Sequence, residues 1–224
     1  MLLLATDTSG KNGSVALARV TPGQSDVEIV EVVPLAGGTF SAQLVPQISA
    51  LLEEHGYHKR ELAGFAVVSG PGSFTGLRVG LAAIKALAEV LRKPICPVSL
   101  LEAIACSGAT RGRVLAALDA GRGEVYVGDY NVDTQAHMHS ERLLRREEFV
   151  TESKGKTVMT PDAALADIAR AAGIRVEQIS YPDSSVIARL SWPRLERGET
   201  VPPEALDANY IRRSDAEIFS KPKL

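Results

Sequence analysis

The segment from Gly70 to Gly80 constrains this chain more than any other, because it places a glycine-rich turn between an apolar strand and a long apolar helix. Gly70, Gly72 and Gly76 permit positive φ angles and a close approach of the backbone. The first turn of the following helix offers unpaired N–H groups, which suit a phosphate or a carboxylate. The pattern is typical both of an anion site and of a tight turn without a ligand.

Two common phosphate-binding motifs do not match this loop. A Walker A loop has Lys followed by Ser or Thr after its last glycine, whereas Leu77 and Arg78 follow Gly76 here. A dinucleotide fingerprint has the spacing G-x-G-x-x-G near the first strand, whereas the third glycine here comes one residue late and deep in the chain. The sequence therefore predicts neither a P-loop nor a Rossmann site.

Composition predicts a globular protein without a membrane span. The chain has 224 residues, of which 45% are hydrophobic, and this length fits one large domain or two small ones. The apolar residues 1–5 stop at Asp7 without a basic flank, and the apolar run 79–91 contains two charged residues, so neither predicts a signal peptide or a span. Two cysteines, Cys96 and Cys106, make no disulfide framework, which favours the cytoplasm.

The charge balance does not favour direct binding of nucleic acid. There are 27 acidic and 25 basic residues, and the formal net charge is −2. Proteins that bind nucleic acid on their own usually concentrate Lys and Arg on one face. The densest basic group here, Arg142, Arg145 and Arg146, is more typical of a solvated surface. We therefore expect partners to supply most of the charge for any contact with RNA.

The order of apolar segments predicts two related α/β lobes. The first half shows three strands, a helix, a strand, a helix and a strand, with Ser41 as the predicted cap of the first helix and Gly56 at its end. The second half opens with a capping-box pattern at residues 99–102 and continues with a strand and a hairpin. Its later helices begin near residues 160 and 183. Hairpins that lead into strand–helix alternation occur in both halves, without a sequence repeat.

The helix predicted over residues 74–91 is apolar on two faces. One face holds Leu77, Leu81, Ile84, Ala88 and Leu91, and the other holds Val79, Ala83, Ala86 and Val90. Its polar strip is confined to Arg78, Lys85, Glu89 and Arg92. Such a helix requires cover on most sides. The preceding helix of the same chain and a helix of another subunit are both suitable, and the sequence leaves this choice open.

Four motifs, in order and spread over nearly the whole chain, carry a resemblance to a known family. They are Leu3-Leu4-Ala5-Thr6-Asp7-Thr8-Ser9 with Gly13-Ser14-Val15-Ala16-Leu17, the Gly70 to Gly80 loop, Asp119-Ala120 with Arg122 and Glu124-Val125-Tyr126, and Ala208-Asn209-Tyr210-Ile211-Arg212. The loop string G-P-G-S-F-T-G-L-R-V-G is highly specific. On these motifs the chain resembles the bacterial TsaB (YeaZ) family.

The resemblance implies a fold and a pathway. The fold is the α/β actin-like or hexokinase-like ATPase (ASKHA) fold, with two related lobes of which the second is reduced. We expect a first lobe with the glycine-rich loop at residues 1–99, a smaller second lobe at 100–200 and a tail at 201–224. The pathway is the machinery that makes threonylcarbamoyladenosine in tRNA, next to the anticodon.

The resemblance also implies that this chain holds no metal and no catalytic residue. TsaD, the catalytic paralogue, carries an H-x-x-x-H metal pair whose positions correspond to Leu100 and Ile104, and neither side chain can bind a metal. A site with two imidazoles normally needs a third converging ligand. We expect the four histidines to be surface or loop residues; they are His55, His58, His137 and His139.

Asp7, Thr8 and Ser9 match the place where actin-like ATPases hold a metal–phosphate group, at the end of the first strand. The alternative is an Asx-type turn, in which the carboxylate accepts backbone N–H bonds. The second half shows no glycine-rich adenosine loop, so we expect a vestigial or partner-completed nucleotide site. The predicted ligand-binding residues are Asp7, Thr8, Ser9, Gly70, Gly72, Ser73, Thr75 and Gly76.

The function implied by the resemblance is that of a non-catalytic accessory subunit, which binds a TsaD-like enzyme and supports threonylcarbamoyl transfer to the tRNA adenosine. A TsaE-like ATPase is a further expected partner. ATP, metal and tRNA are expected to enter through partners, with no cofactor on this chain alone. The helices at 41–55 and 74–91 are the expected interface and can also support a homodimer in isolation. The predicted interface residues are Leu44, Ile48, Leu51, Leu77, Val79, Ala83, Ala86 and Val90.

Two other function classes stay open. An autonomous ATPase or sugar-kinase relative is favoured by Asp7, the glycine loop and the implied fold. A glycoprotease-like hydrolase follows from an older label of the superfamily. It is disfavoured because the metal pair is missing and because no serine, Ser73 included, has a histidine and an acid near it in sequence. A triad assembled in space is not excluded by sequence.

Overall fold

A computed structural model describes residues 1–211 of the chain. Contacts divide the described chain into two compact units: residues 1–103 with 180–208, and residues 104–179 with 209–211. The predicted boundaries at 99 and 200 differ from this grouping, because residues 180–208 belong with the first unit. Residues 212–224 of the predicted tail lie outside the described residues.

The strands are short and the helices range from seven to eighteen residues. In chain order the elements are β1 (Leu2–Asp7), β2 (Gly13–Val20), β3 (Val27–Leu35), α1 (Phe40–Glu54), β4 (Leu62–Gly70), α2 (Phe74–Leu91), β5 (Ile95–Ser99), α3 (Leu100–Ser107), β6 (Gly112–Gly121), β7 (Glu124–Val132), β8 (Ala136–Arg145), α4 (Arg146–Glu152), β9 (Thr157–Thr160), α5 (Ala163–Ala171), β10 (Arg175–Gln178) and α6 (Ser184–Glu196). Short 3₁₀ turns lie at Lys59–Glu61 and Pro203–Ala205. Within the described residues, no helix combines the length and the apolar character needed to cross a bilayer.

The first unit is built on a five-stranded sheet in the order β3-β2-β1-β4-β5. β2 pairs antiparallel with β1 and β3, whereas β4 runs parallel to β1 and β5 runs parallel to β4. All six residues of β1 are buried, as expected for a central strand that is covered on both faces. The contacts of α1, α2 and α6 with the sheet provide this cover. The predicted order of three strands, helix, strand, helix and strand is confirmed.

The second unit repeats the same topology. Its sheet has the order β10-β9-β6-β7-β8, which reads from β8 as the third, second, first, fourth and fifth strands of the unit. β7 pairs antiparallel with β6 and β8, and β9 and β10 run parallel to β6. α4 and α5 pack on this sheet through a core that includes Leu115, Val127, Phe149, Val158 and Leu165. The duplication that the sequence suggested is therefore visible in the order of the strands.

Helix starts differ from the sequence-based prediction at two places. Ser41 is not the cap of α1, because the helix begins at Phe40 and Thr39 occupies the cap position. The Thr39 hydroxyl donates to the Ala36 carbonyl, and its side chain makes no cap bond. α5 begins after Asp162 rather than at residue 160, since Thr160 still belongs to β9 and its hydroxyl accepts the Asp162 N–H.

Of the capping box predicted at the start of α3, the serine forms a hydrogen bond to the helix backbone. The Ser99 hydroxyl accepts the Leu101 N–H at 3.2 Å. Glu102, the acidic member of the pattern, forms an ion pair with Arg194 of α6 inside the first unit. The Glu102 carboxylate thus connects α3 to α6 through this ion pair and does not act within α3 alone.

Candidate functional site

The glycine-rich loop between β4 and α2 lies directly against the turn that follows β1. The Ser73 N–H donates to the Ser9 carbonyl at 2.7 Å. The Thr8 hydroxyl donates to the Gly76 carbonyl, also at 2.7 Å. The loop and the turn are therefore held together at two points, one at the cap residue just before α2 and one within the first turn of α2.

The glycines of the loop are explained by this contact. A Cβ on Gly76 would lie 2.0 Å from the Thr8 carbonyl oxygen, and a Cβ on Gly80 would lie 2.3 Å from the Thr8 hydroxyl oxygen. A Cβ on Gly72 would meet Ser9 at 2.6 Å. Gly70 has a different role, because its φ of 134° belongs to a region that side chains rarely adopt. The close-packing alternative is thus sufficient to account for the motif.

The Asp7 carboxylate forms the Asx-type turn with Ser9 and is not open to solvent. Only 2% of the residue is exposed. Its Oδ1 accepts the Ser9 N–H at 2.7 Å and the Ser9 hydroxyl at 2.6 Å. Burial raises the pKa of Asp7 to about 6, and the two bonds from Ser9 offset part of this increase. The carboxyl group is thus held inside the first unit.

Tyr181 lies over the same turn. Its hydroxyl is 3.5 Å from the Ser9 hydroxyl, and a Cβ on Gly10 would lie 2.8 Å from the phenol oxygen. The sequence analysis missed this residue, because it lies more than 170 positions from Ser9 and follows no recognised motif. Only the return of residues 180–208 to the first unit brings it there.

Several N–H groups at the helix starts near this turn are bound by groups of the chain itself. At α2 the Ser73 hydroxyl accepts the Gly76 N–H at 3.3 Å, and the Ser73 carbonyl accepts the Leu77 N–H. At α6 the Ser14 hydroxyl accepts the Ser184 N–H at 2.9 Å, and the Asp183 carboxylate accepts the next N–H at 2.8 Å. The Gly76, Ser184 and Ser185 N–H groups lie in the first turns of these helices, where a bound anion would otherwise find donors.

A phosphate group does not fit between the loop and residues 7–9 in this arrangement. Gly72 and Gly76 contact that turn so closely that even a methyl group would overlap it. The structure brings Asp7, Thr8 and Ser9 together with Gly72, Ser73 and Gly76, whereas Thr75 is exposed and Gly70 closes β4. A ligand-binding role for these residues stays a prediction.

The second unit has a related connection with different chemistry. The Asp119 N–H, near the end of β6, donates to the Asp162 carboxylate at 2.7 Å. The Asp119 carboxylate in turn accepts the Gly121 N–H at 3.2 Å, as in an ordinary hairpin turn. A side chain therefore makes the link that the first unit makes with backbone groups.

The predicted interface residues divide into buried and exposed sets. Leu44, Ile48, Leu51 and Leu77 are buried in the core of the first unit. Val79 and Ala83 are half-buried, and Ala86 is exposed. Val90 is the most open of the set, with 78% of its surface exposed. An interface on these helices would therefore contact the partner through the exposed Ala86 and Val90. The four buried residues would contribute only by packing beneath that surface.

Two further apolar residues of these helices are exposed and were not predicted. They are Val45 on α1 and Phe74 at the start of α2. Val45 follows the buried Leu44, and the 3.6-residue period of the helix could have placed it on the outer side. We use the name apolar strip for Ala86 and Val90, which lie four residues apart on one side of α2.

The positions that correspond to the TsaD metal pair, Leu100 and Ile104, are fully buried. His55 lies 2.7 Å from the Glu31 carboxylate, and His58 caps the turn at Lys59–Glu61. His137 lies 3.8 Å from the Asp133 carboxylate. In residues 1–211 there is no group of three or more His, Cys, Asp or Glu side chains that could hold a metal ion.

The sequence of this chain matches a known family model and several curated relatives. The family model described as TsaD, tRNA N6-adenosine threonylcarbamoyltransferase, matches residues 32–180. The Bacillus subtilis protein TsaB is 36% identical over 131 residues, which cover 58% of this chain and 55% of that protein. The chain thus spans about half of that relative in the match. The Escherichia coli protein TsaB is 29% identical over 231 residues, which cover 96% of each chain.

Solved structures agree with this result. A crystal structure from Pseudomonas aeruginosa, of a protein described as similar to the peptidase YeaZ, is 27% identical and covers 94% of this chain and 99% of its own, with a TM-score of 0.76. The ethanolamine utilization protein EutJ from Carboxydothermus hydrogenoformans is similar in fold alone: it is 14% identical and covers 85% of this chain and 90% of its own, with a TM-score of 0.51. The predicted α/β ASKHA fold is confirmed. From its sequence motifs, its fold and these relatives, the chain belongs to the TsaB (YeaZ) family.

Proposed function

We propose that this chain is a non-catalytic accessory subunit in the biosynthesis of threonylcarbamoyladenosine in tRNA. In this role it binds a TsaD-like enzyme and supports transfer of the threonylcarbamoyl group to the adenosine next to the anticodon. The names of its relatives, TsaB proteins of threonylcarbamoyladenosine biosynthesis, support the pathway. The observation that carries the accessory role is the packing of the glycine-rich loop onto residues 7–9.

This packing occupies the groups that an autonomous ATPase of the fold would need. The Ser73 N–H and the Thr8 hydroxyl are bound within the chain at 2.7 Å. The Asp7 carboxyl is buried and accepts two bonds from Ser9. A carboxylate that positions a metal and a phosphate has to face them, and the burial of Asp7 speaks against this task.

The apolar strip supports the binding role. Large apolar side chains that stay exposed on neighbouring helices are typical of surfaces that contact another protein. Val90 lies near the end of α2 and Phe74 lies at its start, so exposed apolar residues are present along the whole helix. Alanines at positions 82 and 86 are also exposed and allow the close approach of another helix.

In this proposal ATP, metal and tRNA enter through partners, which include the TsaD-like subunit and a TsaE-like ATPase. The near-neutral charge of the chain is consistent with indirect contact to tRNA, since direct binders need a concentrated basic surface. The same two helices can form a homodimer when the partner is absent.

The test uses the full-length chain and its cognate TsaD-like protein. Size-exclusion chromatography with light scattering measures complex formation, and a tRNA modification assay is run with and without this chain. We expect a mixed complex, a need for this chain in the modification, and no ATP turnover by this chain alone. Ala86→Glu is expected to weaken the complex, whereas Ala164→Glu, the same change on an exposed position of α5, is the matched control.

One result would overturn the proposal, and a second would overturn its interface. No complex together with steady ATP turnover by the purified chain would favour the autonomous ATPase. A complex that Ala86→Glu and Ala164→Glu leave equally intact would exclude the outer side of α2 around Ala86 as the interface. Both variants change exposed residues, so a thermal unfolding curve should show that they remain folded.

A further inference from the structure

A pocket in the first unit lies at the end of the sheet where β1, β4 and β5 begin. Its volume is about 370 Å³, and its wall is mostly apolar, with contributions from Met1, Pro22, Pro94, Trp192 and Leu195. We use the name Trp192 pocket for this space. The glycine-rich loop and residues 7–9 lie at the opposite end of the same strands. At about 3.3 Å per residue, the six residues of β1 put roughly 20 Å between the two places.

The wall of the Trp192 pocket is held in place by hydrogen bonds. The Trp192 Nε1–H donates to the Gln24 carbonyl at 2.8 Å, and only 4% of Trp192 is exposed. The Gly23 N–H donates to the Glu196 Oε1 at 2.6 Å. Both bonds connect the loop after β2 to α6, and the ring of Pro22 restricts the backbone of that loop further. The pocket is therefore formed in the absence of a ligand, as most small-molecule sites are.

One cation lies on this wall. Lys93 follows the left-handed cap of α2, is half-buried and lines the pocket. Among residues 1–211, Lys93 takes part in no ion pair. The dipole of α2 favours a cation at this end of the helix, but it does not require the cation to lie on a pocket wall. An ammonium group beside apolar side chains attracts an anion more strongly than one in open water does.

A carboxylate borders the pocket as well, and it has a structural task. Glu196 is exposed, and its bond from the Gly23 N–H fixes the loop after β2. An anionic ligand group beside Glu196 would be repelled. The pocket therefore distinguishes its two charged borders, and a ligand anion belongs at Lys93.

We propose that the Trp192 pocket binds a small amphipathic carboxylate. The apolar part of the ligand lies against Trp192 and Leu195, and its carboxylate group lies at Lys93. A mostly apolar wall with one or two placed charges is the usual composition of a ligand site, and the volume falls at the lower end of the roughly 300–1,000 Å³ typical of such sites. This inference does not depend on the accessory function.

The experiment uses the fluorescence of Trp192, which is the single tryptophan of the chain and therefore reports on the pocket directly. Octanoate is titrated into the full chain, and octanol and octylamine carry the same apolar chain with a neutral and a positive head. Calorimetry gives the stoichiometry. Lys93→Gln removes the cation, and Lys154→Gln, at an exposed lysine of the second unit, is the matched control. Ala63→Leu places a larger side chain on the pocket wall.

We expect octanoate to shift the emission of Trp192 saturably, with one site per chain. It should bind about tenfold more tightly than octanol, because a charge-assisted hydrogen bond to Lys93 adds to the apolar contact. Lys93→Gln should reduce the affinity for octanoate to that for octanol, whereas Lys154→Gln should behave as the wild type. Ala63→Leu should abolish the binding of both, and a thermal unfolding curve shows that each variant is folded.

Three results would overturn this inference. Equal binding of octanoate and octanol, or an unchanged affinity in Lys93→Gln, would mean that the pocket does not select an anion. Tighter binding of octylamine would assign the recognition to Glu196. The third result is neither a change in emission nor heat at about 10 mM octanoate, a concentration that would mostly fill a site with a dissociation constant of about 1 mM.

Discussion

The Thr8 hydroxyl donates a hydrogen bond to the Gly76 carbonyl at 2.7 Å, and the Thr8 carbonyl oxygen lies 2.0 Å from the place where a Cβ on Gly76 would stand. The two residues therefore fit only because position 76 has no side chain. This contact fixes the start of α2 on the turn after β1. It also gives the glycine-rich motif a structural purpose that needs no ligand.

We predict that Gly76→Ala destabilises the protein by about 2 kcal/mol or more, because a backbone carbonyl cannot move away as a flexible side chain can. Alanine would otherwise favour the helix by roughly 0.5–1 kcal/mol, so a loss of stability shows that the contact with Thr8 dominates. Urea denaturation measures the change. Thr75→Ala, an exposed neighbour, should change the stability by less than about 0.5 kcal/mol. Equal stability of both variants would contradict the role given to Gly76.

The second prediction concerns Asp7 and pH. Its pKa is about 6 in the folded protein against an ordinary value of 3.8, so between these values the folded state binds more protons than the unfolded state. Stability is therefore greatest at low pH on account of this group and falls as the pH rises from about 4 through 6. The difference corresponds to roughly 3 kcal/mol at most.

Asp7→Asn should remove this dependence, because the amide keeps an acceptor for Ser9 and carries no charge. We expect the variant to be more stable than the wild type at pH 7 by about 1–3 kcal/mol, and the difference to shrink toward pH 4. Denaturant midpoints across this pH range give the result. Glu54→Gln, which changes an exposed carboxylate, is the control. A loss of stability in Asp7→Asn at pH 7 would show that the ionised carboxylate is needed.

The third prediction concerns the ion pair between Arg194 and Glu102. Only 8% of the Glu102 side chain is exposed, so Arg194→Gln would leave a buried carboxylate without its main cation. We expect a loss of about 3 kcal/mol or more. Arg197→Gln breaks the exposed pair with Glu199 and should cost less than about 1 kcal/mol. Chemical denaturation separates the two, and equal small losses would mean that α3 and α6 do not depend on the buried pair.

The fourth prediction tests the apolar strip. Val90→Asp should leave the stability nearly unchanged, since 78% of this side chain is exposed, but should weaken binding to the TsaD-like partner by about tenfold or more. Met138→Asp, at a residue of β8 that is 62% exposed, provides a control on the second unit. Binding is measured by titration calorimetry. Equal binding of both variants would place the partner elsewhere.

The order of strands and helices along the first half of the chain could be predicted from sequence, and the details of the candidate site could not. Alternating and buried apolar runs mark strands such as β1 and β4, and the 3.6-residue period marks α1 and α2. The pairing of Ser9 with Tyr181 depends on the path of residues 180–208 back to the first unit, which no local pattern encodes. Local periodicity is short in range, whereas the site is assembled from distant segments.

Helix starts show a similar limit. The sequence offered Ser41 and Thr160 as caps because serine and threonine favour that position. In the structure α1 begins two residues earlier, with Thr39 as its cap and the buried Phe40 as its first residue, and β9 retains Thr160 to its end. Packing of a large side chain and strand pairing thus decide where these helices begin. Single-residue preferences are too weak to oppose such contacts.

The repeated strand order of the two units has a consequence for how each can change over evolutionary time. In the first unit one of the two links between the turn after β1 and the loop after β4 uses backbone atoms of Ser9 and Ser73, so replacing either of these side chains leaves it intact. The other link uses the Thr8 hydroxyl. In the second unit the corresponding link depends on the carboxylate of Asp162. A single substitution at Asp162 can remove the link in the second unit, whereas the backbone bond between Ser9 and Ser73 does not depend on either side chain. Of two units with the same strand order, the unit with the glycine-rich motif therefore keeps a hydrogen bond between its turn and its loop when the side chains of the bonded residues change.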